Sequence, residues 1–539
     1  MLRTALCLAL GATSAIADTY SRIGSVDALN YTFRVTLADE TDEVAAEATI
    51  DLRLVSDGVT EVRLDLVGLS PENGRGMTVE AVTSGVGNPL RFAHEANQLR
   101  IQLGKPSAAE QRIQLTVRYR GTPASGLRIG PNKYGERTFF SDHWPDKARH
   151  WLPTIDHPYD KATGEFVVTA PAHYQVVSNG LLLEETDLPG GRRRTHWKQS
   201  VPIATWLYAL GVARFAVQHV GEFDGKPIQL WLYPQDRDAG FRDFGEPTRH
   251  SLAFFRERIG PYPYEKLANV QSASVQGGME CASAIFYGED RVKGQGALAR
   301  LVAHEVAHQW WGNAVTEGDW DDVWLSEGFA TYFTLLFVEH AYGRDQLLEE
   351  LRTSRKTILA FEEKNPGYRI VHDNLSDMSK VITSHTYQKG AWTLHMLRGI
   401  VGTDPFWTGI REYYRRYRDG NASTDDLRRV MEETTGLDLS WFFQQWLYRE
   451  GIPRLRGGWR YDAAAGQIEI ELAQTQPGPP FRLPLEVGLS RSGGSASRIE
   501  RLDLAEARQT FRIPVPGKPA SVVLDPNLWI LMESDFGPR

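Results

Sequence analysis

The sequence predicts a multidomain α+β protein, β-rich at both ends and helical in the middle. Three observations predict it. The chain has 539 residues, enough for about three domains. Before about residue 214 and after about residue 452, apolar and polar residues alternate with period two. Between them, apolar residues recur at helical spacing. Hydrophobic residues make up 42% and charged residues 24%; both are near globular averages and exclude a disordered scaffold. Sixty Lys and Arg stand against 68 Asp and Glu, a net charge of −8. That balance excludes a nucleic-acid binder dominated by phosphate contacts.

The elements follow in chain order. Residues 1–17 carry Arg3, a short apolar run and Ala15-Ile16-Ala17 before Asp18. This layout predicts a secretory leader cleaved after Ala17 and a periplasmic or secreted protein. No later stretch has 18 uninterrupted apolar residues, so no membrane span is predicted. Cys7 and Cys281 cannot build a disulfide framework. From 18 to 214, Ile50, Leu52 and Leu54 alternate with Asp51 and Arg53, and Ile113 to Tyr119 alternate likewise. An N-terminal antiparallel β domain is expected. Pro189-Gly190-Gly191 followed by Arg192, Arg193 and Arg194 predicts a hairpin tip with solvated charges. From 215 to 450, helical spacing marks 297–313, 327–343, 386–401, 405–419 and 424–435. Thr424 with Asp425 and Asp426 marks a helix start, and Gly451 with Pro453 closes the region. From 451 to 539, alternation at Ile468, Ile470 and Leu472, then Leu483 to Leu489, fits a C-terminal β-sandwich. No repeat of solenoid period is present.

The strongest chemical signal is His304-Glu305-Val306-Ala307-His308. On a helix, positions i and i+4 share a face, so both imidazoles point to one place. Two neutral imidazoles suit Zn²⁺, and Glu305 can reach a water at the metal. Nineteen residues after His308 comes Glu327. A second helix beginning near it brings a third ligand. Two His, one Glu and an open position make a catalytic zinc site, one ion per chain, rather than a pair of satisfied core histidines. A closed structural site usually uses several cysteines, and this chain has only Cys7 and Cys281.

HEVAHQWWGN, the spacing to Glu327 and WLSEGFATYF resemble the M1 (aminopeptidase N-like) family of gluzincin zinc metallopeptidases. Gly277-Gly278-Met279-Glu280 resembles the family's exopeptidase motif, and Gly260-Pro261-Tyr262-Pro263-Tyr264 precedes it as in family members. Tyr387-Gln388-Lys389-Gly390 resembles the segment bearing its catalytic tyrosine. The resemblance implies a thermolysin-like α+β catalytic domain at 215–450 and an aminopeptidase acting on peptides with free N-termini. It implies Glu305 as general base and acid, Tyr387 as oxyanion stabiliser and Glu280 as the carboxylate binding the substrate α-ammonium. Gly277 and Gly278 let backbone approach an extended substrate.

The sequence departs from the family in three places. Cys281 stands where the family usually has Asn and reads as a small packed residue. Asp142 or Trp144 stands near the place of a second amine-binding residue. After residue 450 there is no room for the large helical C-terminal domain of many relatives. Two other zinc hydrolases remain alternatives, an endopeptidase and a leukotriene-hydrolase-like enzyme; for the latter, Ser379 and Ile382 occupy positions where that branch has an Asp and a second Tyr. A non-catalytic binding module is the third alternative.

Overall fold

The computed structural model of the protein describes residues 18–371, 375–490 and 498–539. The predicted leader and Cys7 lie outside the described residues. The amino-terminal region is β-rich. Its largest sheet has seven strands, running Leu181–Leu188, Arg192–Ile203, Ala162–Pro171, Val26–Thr36, Val44–Leu54, Gln111–Thr122 and Gly76–Ser84 across the sheet. Ile50, Leu52 and Leu54 are buried and Asp51 and Arg53 are not, as the alternation requires. A four-stranded and a three-stranded sheet complete the region. One pair in the large sheet is parallel, Val26–Thr36 beside Ala162–Pro171. The antiparallel expectation fails there because the strands are joined by a long excursion, so no hairpin fixes their direction. The tip at Gly190-Gly191 joins an antiparallel pair. Arg193 meets Glu185 and Asp187 there, and Arg194 meets Glu184, on the surface.

The middle region is built on a five-stranded sheet, in the order Ala216–Phe223, Lys226–Leu232, Leu267–Ser272, Ala284–Gly288, Gly278–Met279. Eight helices accompany it: α1 (Arg237–Arg258), α2 (Ala299–His308), α3 (Trp324–Tyr342), α4 (Arg344–Lys364), α5 (Gly390–Val401), α6 (Thr403–Tyr417), α7 (Thr424–Thr435) and α8 (Ser440–Leu447). The pattern over 297–313 predicted a longer helix than α2. The apolar run continues past His308, but Gln309 to Val315 fold back so that Trp310 and Trp311 bury in the core. Helices α1, α4 and α8 lie outside the predicted segments. In α1, Pro247 interrupts the pattern; α4 buries only Leu347, Leu351 and Ile358, too sparse a stripe to read. The start of α7 is a capping box between Ser423 and Asp426, one residue before Thr424.

Residues 454–538 form a four-stranded and a three-stranded sheet. The regions lock together through polar contacts and rings. Lys161 Nζ donates to the carbonyls of Asn313, Ala314 and Gly420 at 3.0, 3.0 and 3.1 Å. The His395 ring stacks on Trp529 at 4.8 Å and its Nε2 meets the Leu528 carbonyl. Asp18 reaches across to the segment before α3, its N–H donating to Asp319 Oδ1 at 3.0 Å.

Candidate active site

Helix α2 buries Val302, Ala303, Val306 and Ala307 and turns Arg300 outward, which fixes the helix rotation and sends His304 and His308 to one side. Helix α3 packs against it and presents Glu327 from its first turn. The three side chains meet. His304 Nε2 and His308 Nε2 are 3.1 Å apart. Glu327 Oε2 is 3.5 Å from the first and 3.3 Å from the second. A tetrahedral ion with ligands at about 2.0–2.1 Å has ligand–ligand edges of about 3.3 Å. The triangle therefore fits zinc. Its chemistry fits too: two imidazole nitrogens and a buried carboxylate oxygen converge on one point, a donor set that suits zinc.

The second layer orients these ligands. His308 Nδ1 lies 3.2 Å from the Trp311 carbonyl and 3.2 Å from Ser326 Oγ, which leaves Nε2 for the ion. Tyr387 Oη donates to Glu327 Oε1 at 2.7 Å, the oxygen not facing the histidines. His304 keeps 20% of its side chain exposed whereas His308 keeps 1%, so the triangle opens on the His304 side.

Glu305 and Glu280 line the other flank. A Cβ on Gly278 would fall 2.1 Å from Glu305 Oε1; only glycine lets that strand pass under the carboxylate. Glu280 follows directly after the strand. Its carbonyl is held by Gln309 Nε2 at 3.0 Å and Asn313 Nδ2 at 2.7 Å. Its Oε1 is buried, lacks a hydrogen-bond partner and lies 3.8 Å from His308 Nδ1. Burial, then the Glu280 charge, pushes the Glu305 carboxyl well above the usual range. Burial likewise raises Glu280, with His308 opposing. In Glu327 the attraction of His308 and His304 outweighs burial, and its carboxyl is held well below that range. An ion at the triangle would stabilise the charged form of all three.

Gly277 and Gly278 are half-exposed, and Gly278–Met279 is the edge strand of the five-stranded sheet. Cys281 is buried, and burial pushes its thiol up. Asp142 pairs with Lys147 at 3.0 Å. Trp144 packs edge-on against Trp206 and Trp320. Sequence reasoning passed over Ser326, Glu362 and the ammonium of Lys389. Ser326 sits beside Glu327, and Lys389 lies inside the tyrosine motif, but neither has a spacing that announces a role.

Comparison with known proteins places this geometry. Residues 27–207 match the Peptidase M1 N-terminal domain, and residues 246–446 match the Peptidase family M1 domain. The chain belongs to peptidase family M1. Among its relatives, aminopeptidase N of Streptomyces lividans is 30% identical over 358 residues, 62% of this chain and 41% of that protein. The glutamyl aminopeptidase of Bitis rhinoceros is 28% identical over 363 residues, 64% of this chain and 38% of that protein. The chain thus spans about two fifths of the length of these M1 relatives. The crystal structure of an M1 zinc metallopeptidase from Deinococcus radiodurans shares the fold with a TM-score of 0.67. It is 24% identical and the match covers 78% of this chain and 93% of that one.

Proposed function

We propose that the protein is a zinc-dependent aminopeptidase that releases N-terminal residues from peptides. His304, His308 and Glu327 would hold the ion. When bound, zinc lowers the pKa of a water toward about 7 and polarises a carbonyl. The chain's own groups do the rest. Glu305, beside the triangle, takes a proton from the attacking water and returns one to the leaving nitrogen. Tyr387 Oη stands at the ligand edge and donates to the oxyanion as charge develops there. The free outer edge of Gly278–Met279 pairs with an extended substrate. The domain reading goes with this function: an N-terminal β domain over 18–214, a thermolysin-like catalytic unit over 215–450 and a β-sandwich over 451–539. The leader reading adds cleavage after Ala17 and a periplasmic or secreted location; among the described residues no helix is long and apolar enough to cross a membrane.

The observation that carries the aminopeptidase reading is Glu280 Oε1, buried beside the metal triangle with no donor. A free α-amino group, cationic at neutral pH with a pKa of about 7.7–8.0, supplies that donor. An endopeptidase has no use for it. The test is mass spectrometry of matched peptides, one with a free N-terminus and one acetylated, alongside metal analysis. One zinc per chain and a fall of about 10²-fold or more on acetylation are expected. Equal rates on both peptides, or cuts in mid-chain, would make the protein an endopeptidase on the same zinc frame.

A further inference from the structure

The turn that carries Tyr387 is fastened from behind by charged groups that take no part in the steps above. Residues His385–Lys389 form a single π-helical turn leading into α5. Such turns are rare and occur mostly as single insertions at functional sites. Lys389, with no exposed surface, donates from Nζ to the Gly451 carbonyl at 3.2 Å. The N–H of the same Gly451 faces the carboxylate of Glu362, near the end of α4. Glu362 Oε2 in turn lies 3.3 Å from His385 Nε2. One end of the tyrosine turn is therefore hydrogen-bonded to the Gly451 peptide group, and the other sits within ion-pair distance, without hydrogen-bond geometry, of the carboxylate facing that same peptide group. Burial pulls Lys389 down to about 8, with the Glu362 charge opposing. Gly451 belongs to the link into the C-terminal sheets, so the clamp joins α4, the tyrosine turn and that link.

We propose that Glu362 and Lys389 are positioning residues for Tyr387, holding its turn so that Oη stays beside the metal ligands. The proposal rests on the reading of Tyr387 as the oxyanion donor. Lys389→Met and the isosteric Glu362→Gln should each lower kcat about 10–100-fold, with KM little changed and zinc content intact. Lys389→Arg should recover part of the loss. The deciding measurement is a cycle with Tyr387→Phe, where neither second substitution should lower kcat further. Full additivity in that background, or a loss explained by missing zinc, would overturn the positioning role. If Tyr387→Phe alone leaves kcat unchanged, the oxyanion role itself falls, which is a separate result.

A different observation carries a second inference. Asp18 is nearly buried. Its Oδ2 lies 2.7 Å from His157 Nε2 and accepts the Trp320 N–H at 3.2 Å. Its own nitrogen donates to Asp319 Oδ1 at 3.0 Å, and Asp319 Oδ2 is 2.7 Å from Arg22. This nitrogen belongs to the residue that the leader reading makes the first of the mature chain. Hydrolysis of the Ala17–Asp18 amide by a host leader peptidase consumes one water, leaves Ala17 a carboxylate and leaves Asp18 an α-ammonium. Two carboxylates then face Arg22, His157 and one more cation. Asp319 also caps the short turn Trp320–Asp322, which runs directly into α3 and Glu327.

We infer that maturation creates an ion pair between the α-ammonium of Asp18 and Asp319, anchoring the segment that delivers the third metal ligand. N-terminal sequencing of native-host material should give Asp18; another first residue overturns the inference. For a chain released with Asp18 first, acylation of the α-amine by an N-hydroxysuccinimide ester near neutral pH is the second readout. It should be about tenfold slower than in Asp319→Asn, for each pKa unit the pair supplies. Equal rates in the two chains would show a free terminus and no pair. A Gly-Ser extension before Asp18 should lower Tm in the parent chain and leave it unchanged in Asp319→Asn. An equal drop in both would also rule the pair out.

Discussion

Glu305 and Gly278 are one device in two residues. The carboxylate lies where a Cβ on Gly278 would stand, 2.1 Å from Oε1. Gly278→Ala should therefore displace Glu305, the proposed general base, without touching a proposed metal ligand. Zinc content should hold while kcat falls; a fully active Gly278→Ala protein would show that Glu305 has room to spare. Glu305→Gln keeps the three ligands and removes the base, so zinc should again remain while turnover is nearly lost. Tyr387→Phe deletes a hydroxyl needed mainly in the transition state, and kcat should fall about 10²–10³-fold with KM little altered. A change in KM alone would make Tyr387 a substrate contact. Steady-state kinetics and metal analysis on the same preparations settle all three.

At the level of elements, the site depends on α3 lying close to the tyrosine turn. A Cβ on Gly328 would meet the Thr386 carbonyl at 3.0 Å and Gly390 Cα at 3.1 Å. Gly328→Ala should cost about 1–3 kcal/mol in denaturant unfolding. Because Thr386 adjoins Tyr387, kcat should fall as well, beyond what the unfolded fraction explains. This crossing shows what the sequence makes legible. The i, i+4 pair of histidines on α2 is a local regularity, and Glu327 sits at a fixed distance on the next helix, so the metal triangle could be read before any fold was known. The strands of the amino-terminal region declare themselves by strict alternation. The close contact of Gly328 with Gly390 couples residues 62 apart in the chain, and Glu362 meets His385 from a helix whose buried stripe has three members. Neither leaves a periodic trace. The parallel strand pair was illegible for the same reason, since direction between distant strands is set by the whole sheet.

Across the whole molecule, Lys161 is the seam between the amino-terminal sheets and the catalytic region. Its ammonium serves three carbonyls, Asn313 and Ala314 just beyond α2 and Gly420 beyond α6. Lys161→Met leaves those carbonyls without their donor and should cost about 1–3 kcal/mol. Burial pulls the folded pKa of Lys161 down to about 7, with Asp419 and Glu317 opposing; an unfolded lysine titrates at about 10.4. Between those values the unfolded chain binds the extra proton, so this residue's contribution to stability rises with pH. The stability gap between wild type and Lys161→Met should thus widen from about pH 7 to about pH 10, read by urea unfolding. A gap that stays flat over that range would mean that the ammonium titrates normally in the fold, and one that narrows would mean that the fold raises its pKa.

Cys281 gives the molecule a built-in clock. The chain has two cysteines, and loss of the leader would leave this one alone. It is sealed in the core at 2% exposure, next to Glu280, with a thiol that burial holds in its unreactive form. A chromogenic thiol reagent can reach it only when the packing around it opens. In a chain that has lost the leader, its labelling rate under native conditions counts openings of the packing around it, one site per molecule and without mutation. The count should fall when a substrate analogue fills the cleft. It should rise on chelation if an ion held by His304, His308 and Glu327 joins α2 to α3 as proposed.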